Sequence, residues 1–169
     1  MDKNNQTYHR KLKFCQTIYQ RGSSLLEILV AVFILAIGLL GLAALQANSL
    51  KNINNSQFRT LATTYAYDMA ERMRSNQDGV LAGGYDAISA SVSDPGCSSC
   101  TAAQLAQLDG YQWNQQISQA VNIGGLPTGS GTVTKSGNVF NITVVWQEQQ
   151  RDSSGGKVGD ADFTLTIQP

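Results

Sequence analysis

One apolar stretch, Ile28 to Leu45, constrains this chain more than any other feature. It holds no charged or strongly polar residue, and Gln46 ends it. Together with Leu25 and Leu26 it predicts a helix of roughly 30 Å, which is long enough to span a lipid bilayer. Glu27 lies at the start of this helix, where an unpaired charge near hydrocarbon costs up to a few kcal/mol. The stretch therefore predicts a membrane helix whose carboxylate needs a partner.

Charge is distributed unevenly on the two sides of this helix. The first 22 residues hold five basic residues and one acidic residue, a net charge of +4; the remainder holds seven basic and eleven acidic residues, a net charge of −4. Basic residues before an apolar helix stay on the cytoplasmic side, so we expect the C-terminal part to be exported. A mildly acidic exported part without a basic cluster disfavours nucleic acid as a partner.

Two ordinary explanations account for only part of the apolar stretch. A secretory signal peptide would have a shorter apolar core and a small-residue cleavage site, yet the segment from Ala44 to Ala47 offers no Ala-x-Ala pair. A plain single-pass anchor explains the length and the basic flank, but it explains neither Gly22 nor Glu27. The spacing of these two residues therefore requires a third explanation.

The segment from Arg21 to Glu27 resembles the type IV (class III) prepilin signature, in which a basic leader, a glycine, four residues and a glutamate precede an apolar helix. The resemblance implies that a prepilin peptidase cuts between Gly22 and Ser23 and that the new amine of Ser23 is N-methylated. It also implies a salt bridge from Glu27 to a neighbouring subunit during assembly. The family has a large apolar residue, often Phe, after the glycine. Here Ser23 takes that place, and this departure bears mainly on the methylation.

The helical period continues beyond the membrane stretch. Seven residues recur on one face at steps of three or four, and no proline interrupts residues 23–76. These are Leu50, Ile53, Gln57, Leu61, Tyr65, Met69 and Met73. Asp78-Gly79 supplies the stop signal. We predict one helix of roughly 80 Å, whose first half lies in the bilayer and whose second half covers a soluble domain.

A second, short helix is predicted to begin at Thr101. Thr101 and Gln104 have the spacing of a capping box, in which each residue satisfies a backbone N–H of the other. We expect the helix to present Leu105, Leu108 and Trp113 to a hydrophobic core.

Three chemistries compete for the C-x-x-C pair Cys97 and Cys100. Zinc needs more ligands than two thiolates, and no further Cys or His follows the leader. Thioredoxin-like redox chemistry is open to a thiol at a helix N-terminus, but the βαβ setting is missing. A structural disulfide is favoured because the exported domain would lie in an oxidising compartment. Cys15, in the leader, has no disulfide partner.

The single histidine, His9, lies in the basic leader. If the leader is removed, no histidine remains. That excludes Ser-His-Asp and Cys-His catalysis and any histidine-based zinc site in the mature chain. We therefore expect no metal, no cofactor and no enzymatic activity.

From Gly131 the sequence pattern changes to a period of two. A short strand at residues 132–134 and a turn at residues 135–138 precede a second strand. Its alternating apolar residues are Phe140, Ile142, Val144 and Trp146. A polar loop at residues 149–160 then separates it from a third strand, marked by Phe163, Leu165 and Ile167. Three antiparallel strands with one apolar face need a cover, which the amphipathic half of the long helix would supply.

Two further segments resemble the PilV group of minor pilins (type IV pilus modification proteins). The first segment is residues 66–76, where the resemblance rests on Arg72, Arg74 and Asn76. The second is the C-x-x-C pair, which is followed by T-x-x-Q-L-A-x-x-D and a tryptophan. This resemblance implies an α+β, type IV pilin-like fold, in which a long N-terminal α-helix packs on a small antiparallel β-sheet. The expected divisions are a leader at 1–22, a transmembrane half-helix at 23–46, an amphipathic half-helix at 47–76, a loop region with the C-x-x-C pair and short helix at 77–130, and a sheet at 131–169.

The resemblance implies a minor pilin, a structural subunit that the type IV pilus, or fimbrium, needs for assembly and initiation and that contributes to twitching motility or cell adhesion. Its partners would be the prepilin peptidase, other major and minor pilins and the inner-membrane assembly platform. The chain would be a single-pass inner-membrane protein with a periplasmic C-terminal domain, and would be extracellular after assembly into the pilus. Two alternatives remain open. One is a minor pseudopilin of a type II secretion system; the other is a membrane-tethered thiol-disulfide oxidoreductase.

Overall fold

The structure is a computed structural model that describes residues 24–150 and 157–169. The chain divides into two compact units, Met1–Ala44 and Leu45–Pro169. The described part of the first unit is helical from Leu25 onward. The second unit contains the sheet and the hydrophobic core.

Helix α1 covers Leu25–Ser75, as the uninterrupted helical pattern predicted. In its polar half the hydroxyls of Thr60, Thr63 and Thr64 each donate to the carbonyl four residues earlier, so these hydroxyls are satisfied within the helix. The observed end of α1 lies one residue before the predicted end at residue 76, but Asp78-Gly79 does not act as the predicted stop signal. The helix ends at Ser75, and Asp78-Gly79 lies inside a second short helix, α2, at Gln77–Leu81.

The elements after α2 form one antiparallel sheet and a third helix. Strand β1 is Ala87–Ile88, helix α3 is Ala102–Ile117, and a 3₁₀ turn covers Val121–Ile123. Strands β2, β3 and β4 are Ser130–Ser136, Val139–Gln150 and Lys157–Ile167. All neighbours pair antiparallel in the order β1-β2-β3-β4. This confirms the predicted α+β, pilin-like architecture, with β1 as an additional two-residue strand.

The hydrophobic core joins the second half of α1 to the inner face of the sheet. From α1 it takes Ala62, Ala66, Met69, Ala70 and Met73; from β2 and β3 it takes Val133, Phe140, Ile142, Val144 and Trp146. The predicted inward alternation of β3 is confirmed. On the predicted face of α1, Met69 and Met73 are buried, whereas Leu50 and Ile53 are more than half exposed. Leu61 and Tyr65 are partly buried against the core, so the second half of that face packs on it and the first half does not.

Helix α3 is fixed to α1 and to the sheet by buried polar groups. Trp113 donates from Nε1 to the carbonyl of Tyr65 at 2.9 Å. Asn114 accepts from the Gly131 amide at 2.8 Å and donates to the Gly131 carbonyl at 3.1 Å, so it continues the ladder of β2 with its side chain. Gly131 is required by close packing, because an added Cβ would lie 2.3 Å from the Trp113 ring.

Two details of the predicted elements, one helix face and one loop, were wrong. Trp113 is fully buried as expected, but Leu105 is exposed, because α3 turns Ala106 and Gly110 toward the core instead. Both ends of the predicted polar loop at 149–160 are strand, since β3 extends to Gln150 and β4 begins at Lys157. The part of that loop containing Gly155-Gly156 lies outside the described residues.

Candidate functional site

The start of α1 is the first part of the candidate site. The Ser24 carbonyl accepts from the amides of Glu27 at 2.9 Å and Ile28 at 3.3 Å, which closes the first helical turn. Glu27 is exposed, and within residues 24–150 and 157–169 its carboxylate has no hydrogen-bond or ion-pair partner. A negative charge is favourable in this first turn because it faces the positive end of the helix dipole. Gly22 and Ser23 lie outside the described residues.

The helix behind Glu27 is long and apolar enough to cross a membrane, and none of its apolar window is buried inside the chain. Its exposed side chains are large, including Leu29, Phe33, Leu35 and Leu40, each more than 60 % exposed. A continuous exposed surface of this kind needs an apolar environment from outside the chain. The segment therefore fits a membrane-anchored protein.

The two cysteines of the C-x-x-C pair lie within disulfide distance, with their Cα atoms 5.2 Å apart. The next residue, Thr101, caps α3. Its hydroxyl accepts from the Gln104 amide at 3.3 Å, while the Gln104 side chain accepts from the Thr101 amide at 3.0 Å. The predicted capping box is confirmed. Across the described ranges, no cluster of three or more His, Cys, Asp or Glu side chains could hold a metal ion.

The end of α1 carries a polar network that joins α1, α2 and α3. Asn76 caps α2 by accepting from the Gly79 amide at 3.1 Å. Its Nδ2 donates to the Ala102 carbonyl at 2.9 Å and to the Tyr85 hydroxyl at 3.2 Å. The Tyr85 hydroxyl in turn donates to Asp109 of α3. Every polar group of Asn76 is thus used to hold three elements together.

Arg72 completes this network from the last turn of α1. Its Nε lies 3.0 Å from Asp68, and its Nη1 lies 3.3 Å from Asp109. Arg74, which the sequence singled out together with Arg72 and Asn76, instead makes an exposed ion pair with Glu71. Two of these three residues therefore hold the fold together, and the third lies at the surface.

Electrostatics in the network favour the neutral phenol and the charged guanidinium. Burial raises the pKa of Tyr85, and the hydrogen bond to Asp109 raises it further. Burial alone would lower the pKa of Arg72, but its hydrogen bonds to Asp68 and Asp109 outweigh this effect and the pKa is raised. The raised pKa values keep the Tyr85 phenol protonated and the Arg72 guanidinium charged, which are the forms that donate the hydrogen bonds of the network.

Another ion pair, which sequence reasoning missed, joins α1 to β3. Arg59 contacts both carboxylate oxygens of Glu148, at 2.6 and 3.2 Å, and Glu148 is buried. Glu148 follows Val144 and Trp146 at steps of two residues, so the sequence places it on the same, inward-facing side of β3. The sequence could therefore have predicted this ion pair, because a carboxylate on the buried face of a strand requires a cation from the helix that covers it.

Comparison with known proteins gives one match. Residues 18–43 match the family model described as the prokaryotic N-terminal methylation motif. No curated protein and no solved structure matches the chain. The matched segment contains Gly22, Ser23 and Glu27. The motif implies processing by a prepilin peptidase and points to a structural subunit rather than an enzyme. The chain thus carries a prepilin-type leader and membrane helix, which support a type IV pilin or pseudopilin.

Proposed function

We propose that this chain is a minor pilin of the PilV group, a structural subunit that helps to start type IV pilus assembly and contributes to twitching motility or adhesion. The observation that carries the proposal is the methylation motif at residues 18–43, followed by an exposed apolar helix. The PilV assignment is supported by the roles of Arg72 and Asn76 at the junction of α1, α2 and α3.

In this proposal the inner-membrane precursor is cut after Gly22, and the amine of Ser23 becomes the new terminus and is N-methylated. Its C-terminal domain lies in the periplasm until the assembly platform moves the subunit into the pilus with other major and minor pilins. The lack of a partner for the Glu27 carboxylate among the described residues leaves it free for another subunit. A carboxylate that enters an apolar filament core without a partner is far costlier than a paired one. Glu27 would therefore select the register in which it neutralises a neighbouring Ser23 amine.

Cys97 and Cys100 have a supporting role in this proposal. A disulfide between them would fix the chain immediately before the capping box of α3, and the Ala102 carbonyl just beyond accepts from Asn76. The bond would thus hold the start of α3 against the end of α1 in the oxidising periplasm. This is a structural use of the pair and needs no substrate thiol.

The test is pilus incorporation of Glu27→Gln in a strain that lacks the native copy. We expect the variant to be inserted and largely cleaved, but depleted in sheared pili relative to the membrane fraction on an immunoblot. Glu71→Gln is the matched control, because it makes the same change on the same helix at an exposed pair with Arg74. Equal recovery of both variants in pili would contradict the assembly role of Glu27.

A minor pseudopilin of a type II secretion system would carry the same kind of leader and helix. The two functions are separated by deleting one assembly platform at a time. If the chain is a minor pilin, loss of the pilus platform removes it from sheared surface fibres and loss of the secretion platform leaves it there. The reverse pattern would assign it to the secretion system.

A further inference from the structure

A groove of about 290 Å³ lies between the early part of α1's polar half and the end of the β3–β4 hairpin at which β3 ends and β4 begins. It belongs entirely to the second compact unit. The nine residues lining it comprise four neutral amides, one lysine, one glutamate and three apolar residues. They are Lys51, Asn54, Asn55, Phe58, Pro127, Gln147, Glu148, Gln149 and Val158.

Four of these side chains have no partner among the described residues. They are the ammonium of Lys51 and the amides of Asn54, Gln147 and Gln149. Asn55 is not available to a ligand, because it donates to the Gln149 carbonyl at 2.8 Å and accepts from the Gln149 amide at 3.3 Å. The groove therefore presents one cation and several hydrogen-bond donors beside the apolar surfaces of Phe58 and Val158.

The charge in the groove is positive despite the presence of Glu148. Arg59 contacts both oxygens of that carboxylate and neutralises it. Lys51 then remains as the unpaired charge among the lining residues. Its ammonium group can only donate hydrogen bonds. An anionic group is the ligand that such a set of side chains recognises best.

The position of Lys51 along α1 indicates where that anion would come from. Lys51 follows Gln46, the first polar residue after the apolar run, by five residues, or about 7.5 Å of helix rise. The headgroup layer of a bilayer adds roughly 5 to 8 Å on each side of the hydrocarbon. Lys51 and Asn54 therefore fall at the height of the lipid phosphates and just beyond them.

We propose that this groove binds the headgroup of an anionic phospholipid before the subunit leaves the membrane. Lys51 contacts the phosphate, the amides of Asn54, Gln147 and Gln149 bind phosphate or headgroup hydroxyl oxygens, and Phe58 packs against the glycerol. The inference rests on the membrane anchoring in the proposed function, and not on incorporation into a pilus. The lipid would hold the second unit at the membrane surface until extraction.

The experiment is an NMR titration of the full chain in zwitterionic detergent micelles. The probes are dihexanoylphosphatidylglycerol, dihexanoylphosphatidylcholine and inorganic phosphate. We expect saturable shifts of the side-chain amide signals of Asn54, Gln147 and Gln149 with phosphatidylglycerol alone. Lys51→Gln should weaken this binding about fivefold, the effect of one lysine near an anionic surface, and Lys51→Arg should retain it.

Two further variants separate a site from general charge attraction. Lys135→Gln removes the same charge at a lysine that pairs with Asp86 outside the groove, and should leave the affinity unchanged. Asn54→Ala keeps every charge and should still lower the affinity. Equal binding of the phosphatidylcholine probe, equal binding of phosphate alone, no shifts, or equal loss in Lys135→Gln would each overturn the proposal. Such a result alongside a positive Glu27→Gln test would leave the pilin assignment standing.

Discussion

Asn76 donates from Nδ2 to the carbonyl of Ala102 at 2.9 Å, and this bond connects the end of the long helix to the start of α3. The same side chain caps α2 through the Gly79 amide. Asn76 is only 7 % exposed, so solvent does not replace these bonds when the side chain is removed. The Asn76 amide therefore stabilises the junction together with the Arg72–Asp109 ion pair and the bond from Trp113 to Tyr65.

Asn76→Ala should lower the free energy of unfolding of the second unit by about 1–3 kcal/mol, because it leaves buried groups unsatisfied and removes a helix cap. Chemical unfolding of the full chain in detergent, followed by the fluorescence of the buried Trp113 and Trp146, measures this. The control is Asn52→Ala, at an exposed position of α1, where the change should be within about 0.5 kcal/mol. Equal effects of the two changes would contradict the assigned role of Asn76.

The raised pKa of Tyr85 predicts a loss of stability at alkaline pH. An unfolded tyrosine ionises near pH 10, whereas burial and Asp109 keep the folded phenol protonated above that value. The stabilising contribution is therefore fully present below about pH 10 and declines as pH rises further, by up to about 1.4 kcal/mol per pH unit. Tyr85→Phe should unfold with a shallower pH dependence between about pH 9.5 and 11. An unchanged slope would show that Tyr85 is not the group responsible.

Removing Arg59 alone should lower the free energy of unfolding more than changing both members of the Arg59–Glu148 pair. Arg59→Ala leaves a buried carboxylate without a partner, at a cost of about 1–3 kcal/mol; Arg59 is 66 % exposed, so we expect less than for a fully buried pair. Adding Glu148→Gln should recover part of that loss. The exposed pair Arg74–Glu71 is the control, and Arg74→Ala should cost less than about 0.5 kcal/mol. A double variant that is less stable than Arg59→Ala alone would rule out this explanation.

Replacing both Cys97 and Cys100 by Ser should lower the unfolding free energy by about 2 kcal/mol and leave the rest of the fold intact. In the wild type, a thiol-alkylating reagent should modify neither residue until a reductant is added, and the reductant should not affect the double variant. Ser98→Ala is a control within the same loop. Rapid catalytic turnover of a dithiol substrate would instead support the oxidoreductase alternative.

The local elements of this fold could be predicted because their signals are periodic and lie within one segment. The helix period identifies α1, and the alternation of Phe140, Ile142 and Val144 identifies β3 and its buried face. The capping box at Thr101 likewise needs only residues within one turn. These features could be predicted without knowledge of the tertiary structure.

The junctions could not be predicted, because they join residues that are distant in sequence. Arg59 and Glu148 are 89 residues apart, and Tyr65 and Trp113 are 48 apart. Strand β1 is too short to show any period, and it is defined only by pairing with Thr134 and Val133 of β2. The same limit explains Leu105, because α3 packs with Ala106 beside Gly84 and Gly110 beside Ile88, and Leu105 is left exposed.

The central claim is that this chain is a processed prepilin, and the most direct test is mass spectrometry of its N-terminus from the membrane and pilus fractions. We predict a mature chain that begins at Ser23 and carries one added methyl group on its amine. Gly22→Val should accumulate as the longer precursor in the membrane, because the peptidase requires a residue without a side chain at the cut. An intact leader in the wild type, or a chain cut after Ala47, would contradict the account.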